Sequence, residues 1–437
     1  MTFFKGIRHK KHEKFYRIRG RFLRSSIHIL LHFRLLIRWV LFAVLLGIVM
    51  GIIGTAFVRC IHIGTEFRHS HPWVLLTLPL GGLLIVWLYR ITRNHDDRGT
   101  NMVIASIRSE AELPVQMAPL IFISTVITHT CGGSAGREGA ALQLGGSIGS
   151  LLGRGLNLRE RDKRILILAG MSAAFSAIFR TPIAAAIFAM EVGCIGAMQY
   201  AALVPCAVAS LTASFTAEKL GQPLSHYTIS GIPEMNAVNA LKLLLLGILC
   251  AALSIAFCML LHKTEHILEH RFKNPYLRIA VSALLLLVMG LLLRSDMFFG
   301  IGEESIHNAI AGETVWYAFL LKMLFTAVTI GGGFKGGEIV PSFFIGATFG
   351  CLFGQIAGIS PSLCAAAGMV ALFCGVTNCP LATLLISAEL FGMECVPFCL
   401  LTIAVSYLLS GYYGLYSTQK FVTSKFADAP VHHGTRQ

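Results

Sequence analysis

Apolar runs long enough to cross a membrane recur along nearly the whole of this chain, and they limit its fold more than any other feature. A segment that leaves water must satisfy its own backbone polar groups, so only helices and closed barrels span a bilayer. The strong runs lie near 37–58, 73–93, 116–130, 163–178, 198–217, 240–262, 277–294, 315–330 and 396–413. A barrel would instead show alternating segments of about ten residues. Hydrophobic residues make up 55% of the 437 and charged residues only 13%, where a soluble chain carries about a quarter charged. The fold class is therefore an all-α polytopic membrane protein.

Several apolar pieces are short and cut by glycine, at 140–153, 182–193, 339–356, 364–376 and 380–392. At 1.5 Å per residue the shorter ones cannot cross a hydrocarbon core of about 30 Å. They are expected to be tilted, re-entrant, or halves of broken helices. A polar connection near 218–239 divides the chain, and the two halves repeat one another. "AGMSAAFSAIFRTPIAAAIFAMEV" (169–192) aligns with "AGMVALFCGVTNCPLATLLISAEL" (367–390), with eight identities in 24 positions at an offset of 198. Just upstream, at an offset of 201, Gly136, Gly145, Gly149 and Gly153 fall on Gly337, Gly346, Gly350 and Gly354. Duplicated halves with glycine-interrupted helices mark a repeat-built transporter or channel, whose site lies where broken-helix ends meet. The expected organisation is a basic segment 1–36, a first membrane repeat 37–217, the connection 218–239, a second repeat 240–420 and a short tail 421–437. The repeat pattern leaves open whether the halves are inverted.

The net charge of +14 is uneven. Residues 1–38 hold eleven Lys/Arg and one acid, Glu13. Cationic residues beside a first span favour the cytoplasmic side, so the N-terminus is expected inside, in contact with anionic lipid. Nothing aromatic or motif-like points to nucleic acid. The twelve cysteines are scattered and form no CxxC pair, so no metal, disulfide framework or cofactor is expected. There is no HExxH helix for zinc and no GxxxxGK[ST] loop for ATP. The chain is accordingly read as no enzyme and no primary pump.

Three glycine-rich stretches each lead into an apolar helix: "RGTNMVIAS" (98–106), "GSAGREGAAL" (133–142) and "GGGFKGGEIVPSF" (331–343). A helix start carries unpaired N–H groups and about half a positive charge, so it holds an anion without a full cation. Close packing of helices is the plainer use of such glycines. Glu138 lies in the second stretch, and a carboxylate at membrane depth is costly and usually functional. Ionised, it can occupy an anion's place; protonated, it can swing away with a proton. A salt bridge to Arg137 is the structural alternative. Glu191 and Glu389, which are repeat mates, can cap or brace helices. Tyr416, after the last span, offers a phenol to an anion or belongs to an interfacial belt.

"GSAGREGAALQLGG" resembles the GREGP motif of the CLC anion channels and exchangers, and "GGEIVPSF" resembles their second helix-start motif. The likeness covers roughly residues 37–420. It implies a homodimer with one pore per subunit, each subunit a bundle of about eighteen tilted helices in two inverted halves. Three departures point away from the chloride branch. Ala140 replaces the usual proline, "GTNMV" stands where a chloride-coordinating GSGIP stretch is expected, and Val192 replaces an internal proton-transfer glutamate. These features resemble the fluoride-exporting CLC-F branch. The resemblance implies Glu138 as the gate and proton acceptor. It places Asn101, Met102, Gly136, Arg137, Gly139, Ile339, Val340 and Tyr416 around the anion, with the N–H groups of Ile339 and Val340 facing it. Lys335 is expected at a membrane face. The implied function is a fluoride/proton antiporter in a bacterial-type plasma membrane; the alternative is a chloride or nitrate channel or exchanger.

Overall fold

The computed structural model describes residues 3–94, 99–108, 112–426 and 430–435; of residues 3–29, 31 and 430–433 it describes only the backbone. Arg98, at the head of the first glycine-rich stretch, lies outside the described residues, as do the extreme ends of the two terminal segments.

The first half contains α1 (Phe3–Ser70), α2 (Leu78–Ile91), α3 (Thr100–Ile107), α4 (Met117–Cys131), α5 (Glu138–Gly155), α6 (Glu160–Phe179), α7 (Pro182–Glu191) and α8 (Leu203–Lys219). The second contains α9 (Ala237–Arg271), α10 (Pro275–Leu293), α11 (Glu303–Ala311), α12 (Ala318–Gly331), α13 (Ile339–Ala357), α14 (Pro361–Thr377), α15 (Pro380–Phe391) and α16 (Val396–Leu409). Every apolar run read from the sequence is a helix here. Three differences stand out. The run at 37–58 is not a separate element but the middle of α1, because no glycine or proline pair interrupts the chain before it. The short helix α3 follows the first glycine-rich stretch as expected, whereas the polar helix α11 was not anticipated, being too short for a hydrophobic signal. A small sheet also forms, in the order β1 (Cys194–Ile195), β2 (Lys420–Thr423), β3 (Pro430–Gly434), with β1–β2 parallel and β2–β3 antiparallel. It ties the tail to the end of α7. Among the described residues, six helices are long and apolar enough to cross a membrane, including His32–Ser70 and Ala237–Arg271.

The halves use the same local signals. α6 ends on Arg180 and α14 on Asn378, both left-handed (φ 56° and 59°). Each is followed by a proline that opens the next helix, Pro182 for α7 and Pro380 for α15. A left-handed residue closes a helix, and proline at the first helical position loses no hydrogen bond. Inside each half, paired helices cross at glycine. A Cβ on Gly145 would collide with the carbonyl of Gly170, and one on Gly346 with that of Gly368. These small-residue crossings let backbones touch where lipid supplies no hydrophobic drive. They bury α5, α6, α13 and α14 at the centre; all of α14 after Pro361 is buried. The peripheral helix α10 instead exposes Leu284, Leu291 and Leu292, as a lipid-facing helix should.

The direction of the repeat is settled by two carboxylates. Glu191, at the end of α7, accepts from the N–H groups of Leu381 (3.2 Å) and Ala382 (2.8 Å) at the start of α15. Glu389, near the end of α15, accepts from Ile183 (3.1 Å) and Ala184 (2.9 Å) at the start of α7. Each short helix thus caps its own repeat mate, and the mates run antiparallel. The halves are inverted with respect to one another. Each carboxylate satisfies two orphan donors and meets the positive end of a helix dipole. Glu191→Ala and Glu389→Ala are each expected to lower stability by about 1–2 kcal/mol, the usual cost of a lost cap. Thermal unfolding of the purified protein in detergent checks this, and near-additivity in the double variant is expected because the two caps share no donor.

Candidate functional site

The three glycine-rich helix starts meet at one place. Gly136 and Gly337 exchange backbone hydrogen bonds, Gly136 N–H to Gly337 carbonyl at 2.6 Å and the reverse at 2.7 Å. These residues are repeat mates, so the pseudo-twofold axis passes through the pair. It clasps the start of α5 to the start of α13. The start of α3 joins them through Thr100, whose hydroxyl donates to the Gly139 carbonyl at 3.4 Å. Contact this close needs glycine: a Cβ on Gly337 would sit 2.6 Å from the Gly139 nitrogen.

Glu138 is the first residue of α5 and is fully buried. Its Oε2 accepts from the N–H of Arg137 at 3.0 Å and from that of Val340 at 3.3 Å. One carboxylate oxygen is therefore held by amides from both repeats, where the positive ends of α5 and α13 converge. Its Oε1 has no hydrogen-bond partner. The nearest cation is Arg137, whose Nε lies 3.8 Å from Oε1. That is an ion pair without a hydrogen bond, so the salt-bridge alternative accounts for only part of the geometry. A carboxylate in this position occupies a place suited to any small anion.

Two water-accessible cavities approach the carboxylate from opposite sides. The outer one, about 720 Å³, reaches Arg137 and is walled by Arg68 and the 297–305 segment. The other, about 570 Å³, reaches Gly336, Glu338 and Tyr416 and is floored by the start of α3. It opens on the side of Gly99 and Asn101, away from the α1 end at Ser70, and is called the inner vestibule below. Glu138 lines neither cavity. Its chain neighbour Arg137 lines the outer cavity, and Gly336 and Glu338 of the facing helix start line the other.

The predicted site residues divide into two groups. Glu138, Gly136, Arg137, Gly139 and Val340 come together as described; Ile339 opens α13 beside them, but of the two expected amides Val340 is the one that donates to the carboxylate. Tyr416 is fully buried, borders the inner vestibule, and its hydroxyl has no hydrogen-bond partner. That is a phenol available to an anion, not an interfacial belt residue. Asn101 borders the same vestibule, but its carboxamide oxygen accepts from the N–H of Thr418 (3.3 Å), and Thr418 hydroxyl donates to the Asn101 carbonyl (2.9 Å). It braces the turn that carries Tyr416. Met102 packs half-buried against the core and borders neither cavity. Lys335, expected at a membrane face, lies on the vestibule wall, 4.4 Å above the ring of Tyr89.

Some contributors were not read from the sequence. His129, fully buried on α4, donates from Nε2 to the Gly136 carbonyl at 3.2 Å, and Arg68 donates to the His129 carbonyl at 2.7 Å. Together they fix the loop that carries Arg137 and Glu138. Lys322, fully buried on α12, donates to the carbonyls of Phe298 (3.2 Å) and Gly300 (2.8 Å) and shapes the outer wall. Glu338 stands at the N-cap position of α13, without a side-chain cap hydrogen bond, at the head of the inner vestibule. It is the repeat mate of Arg137, which was the available signal for it. The letters of Gly132–Gly136 also match a GxSxG turn, but Ser134 pairs with the hydroxyl of Thr326 (3.3 Å) and meets no base.

The sequence matches the family described as voltage gated chloride channel over residues 81–411. A chloride/fluoride channel protein of Pseudomonas syringae is 34% identical over 395 residues, covering 89% of this chain and 87% of that one. An uncharacterised protein of Methanocaldococcus jannaschii is 25% identical over 365 residues, covering 82% and 90%. Among solved structures, a CLC-type fluoride/proton antiporter superposes with a TM-score of 0.85 at 33% identity, covering 88% of this chain and 98% of that one. A slow cyanobacterial Cl⁻/H⁺ antiporter superposes with a TM-score of 0.74 at 20% identity, covering 85% and 94%. The chain belongs to the voltage-gated chloride channel (CLC) family and has its fold.

The glycine clasp makes a direct prediction. A Cβ on Gly136 would sit 2.6 Å from Glu138 Oε2 and 3.1 Å from the Gly337 carbonyl. Gly136→Ala should weaken anion binding by about 1–3 kcal/mol, the usual cost of overpacking. Isothermal titration of the monodisperse variant with fluoride checks it; unchanged affinity would show that the clasp does not shape the site.

Proposed function

We propose that this CLC protein exchanges fluoride for protons across a bacterial plasma membrane, with Glu138 as both gate and proton carrier. The observation that supports this is the Glu138 carboxylate held by amides of both repeats, between two vestibules, with one oxygen unpaired. Ionised, Glu138 occupies the anion position and closes the passage. Protonated, it loses the charge that the two helix starts favour, and the amides of Arg137 and Val340 become free for an arriving anion. Proton and anion then compete for one set of donors, which couples their movements. Fluoride in particular is supported by the likeness to a fluoride/proton antiporter and a chloride/fluoride channel protein, and by Val192 and the GTNMV stretch. A compact, strongly hydrated anion suits amide and phenol donors, since Tyr416 presents an unpaired hydroxyl to the inner vestibule.

The direction is set by the proton gradient. A weak acid leaks inward, ionises in a neutral cytoplasm, and its anion leaves as protons enter. The N-terminal basic segment is placed in the cytoplasm, beside anionic lipid, and the inner vestibule opens on that side. Two copies associate as a homodimer with one pathway in each. The organisation into a first repeat at 37–217 and a second at 240–420 is kept, with the connection running between α8 and α9.

A flux assay on the protein in liposomes tests the reading. Fluoride efflux should drive proton uptake, and chloride should move far more slowly. Equal chloride flux would favour a general anion exchanger. Glu138→Gln keeps the shape but cannot carry a proton. Its proton movement should fall to background, and proton movement at the wild-type rate would show that another group carries it.

A further inference from the structure

The reading above leaves the inner half of the proton route without a carrier. Val192 supplies no acid at the end of α7, and both oxygens of Glu191 are committed to the start of α15. A proton released from Glu138 must leave another way. Glu338 is the next carboxylate toward the inner vestibule. Opposite it, α9 presents His262, Glu265, His266 and Glu269, a spacing of three, four and seven residues that puts all four on one helical face. All four border the vestibule, and Glu265, His266 and Glu269 are exposed to its water.

Each neighbouring charge has a defined place. His262 is bound to the Gly414 carbonyl at 3.0 Å and holds the turn before Tyr416. Glu269 pairs with Arg278 of α10 at 2.5 Å and marks the rim. His266 stacks with His270, ring centroids 6.2 Å apart. Lys335 and Glu338 face Glu265 from the α12–α13 segment, and Glu265 and Glu338 feel one another's charge. Among the described residues, the side chains of Glu265 and His266 make no hydrogen bond or ion pair that fixes them, His266 meeting only the ring of His270. Carboxylate and imidazole together take up and release protons across the range from acid to neutral pH.

We propose that Glu265 and His266 form the proton-exit station of the inner vestibule, receiving protons from Glu338 and passing them to bulk water. This rests on the fluoride/proton exchange proposed above. The step is a simple transfer. The O–H bond of protonated Glu338 breaks, the proton crosses vestibule water to the Glu265 carboxylate, and the imidazole of His266 takes it to the rim. Glu338 is left ionised and ready for the next proton from Glu138.

The test uses the full chain in liposomes with an imposed fluoride gradient. Wild-type protein must first show fluoride-driven proton movement; its absence would refute the exchange reading itself. In the Glu265→Gln/His266→Gln variant, proton flux should fall on the order of a hundredfold, the lower end of what losing a positioned proton-transfer group costs. A small mobile buffer such as imidazole on the vestibule side should restore it, which no packing defect would allow. Glu265→Asp should retain flux. Should the double variant fail to fold, Glu265→Gln alone, which keeps shape and volume, carries the same expectation of loss and rescue. Wild-type proton flux in the variant, or a loss that imidazole does not relieve, overturns the proposal.

Discussion

The reciprocal hydrogen bonds between Gly136 and Gly337 are the contact on which the rest of this structure depends. They join two irregular segments at membrane depth, where an unpaired backbone group costs several kcal/mol. Because each segment satisfies the other, neither needs lipid or water at that point. The same pair aims α5 and α13 toward a single carboxylate oxygen. Non-helical backbone is tolerated inside a bilayer only when buried in protein or lining a cavity, and both glycines of this clasp are buried. Its support is layered: His129 fixes the Gly136 carbonyl, and Arg68 fixes His129.

The clasp explains why the site needs no full positive charge. Each helix start contributes about half an elementary charge, and a hydrogen bond to a charged group is worth about 1.5–3 kcal/mol. Two such bonds compensate part of the cost of removing a small anion from water without holding it permanently. The Arg137 guanidinium adds a longer-range attraction at 3.8 Å and no hydrogen bond to the carboxylate. A lysine in contact would deepen the well and slow release. The fully buried cation behind the outer wall, Lys322, is instead spent on the carbonyls of Phe298 and Gly300.

Much of this was legible in the sequence, because the strongest signals are local or repeated. Apolar runs located the helices, and the glycine spacing located the helix starts. The 198-residue offset paired Glu191 with Glu389, but their roles emerged only when each was found on the other's helix. Inversion could not be read from the repeat, since an alignment is blind to direction in space. Met102, expected around the anion, packs against the core and borders neither cavity; the short loop before α3 has no periodic pattern to fix its register. Asn101 was near the site, yet its partner Thr418 lies 317 residues away. His129 and Glu338 went unread for a similar reason: nothing in a stretch of sequence shows which carbonyl or cavity a side chain will meet.

In the proposed exchange, the inverted repeat also explains how one site serves two ions that part company on the inner side. Symmetry supplies matched amides at the axis but does not require matched side chains. Glu138 aligns with Ile339, and Arg137 with Glu338, so the outer partner of the carboxylate is a cation and the inner one an acid. An anion and a proton therefore meet different chemistry on leaving the centre. In the exchange proposed above, the anion is met by amides and the Tyr416 hydroxyl, and the proton by carboxylates and imidazole. Only at Glu138 do they need the same donors, and exchange requires competition at no other point. Broken symmetry in the side chains, on a backbone that keeps it, gives the site its direction.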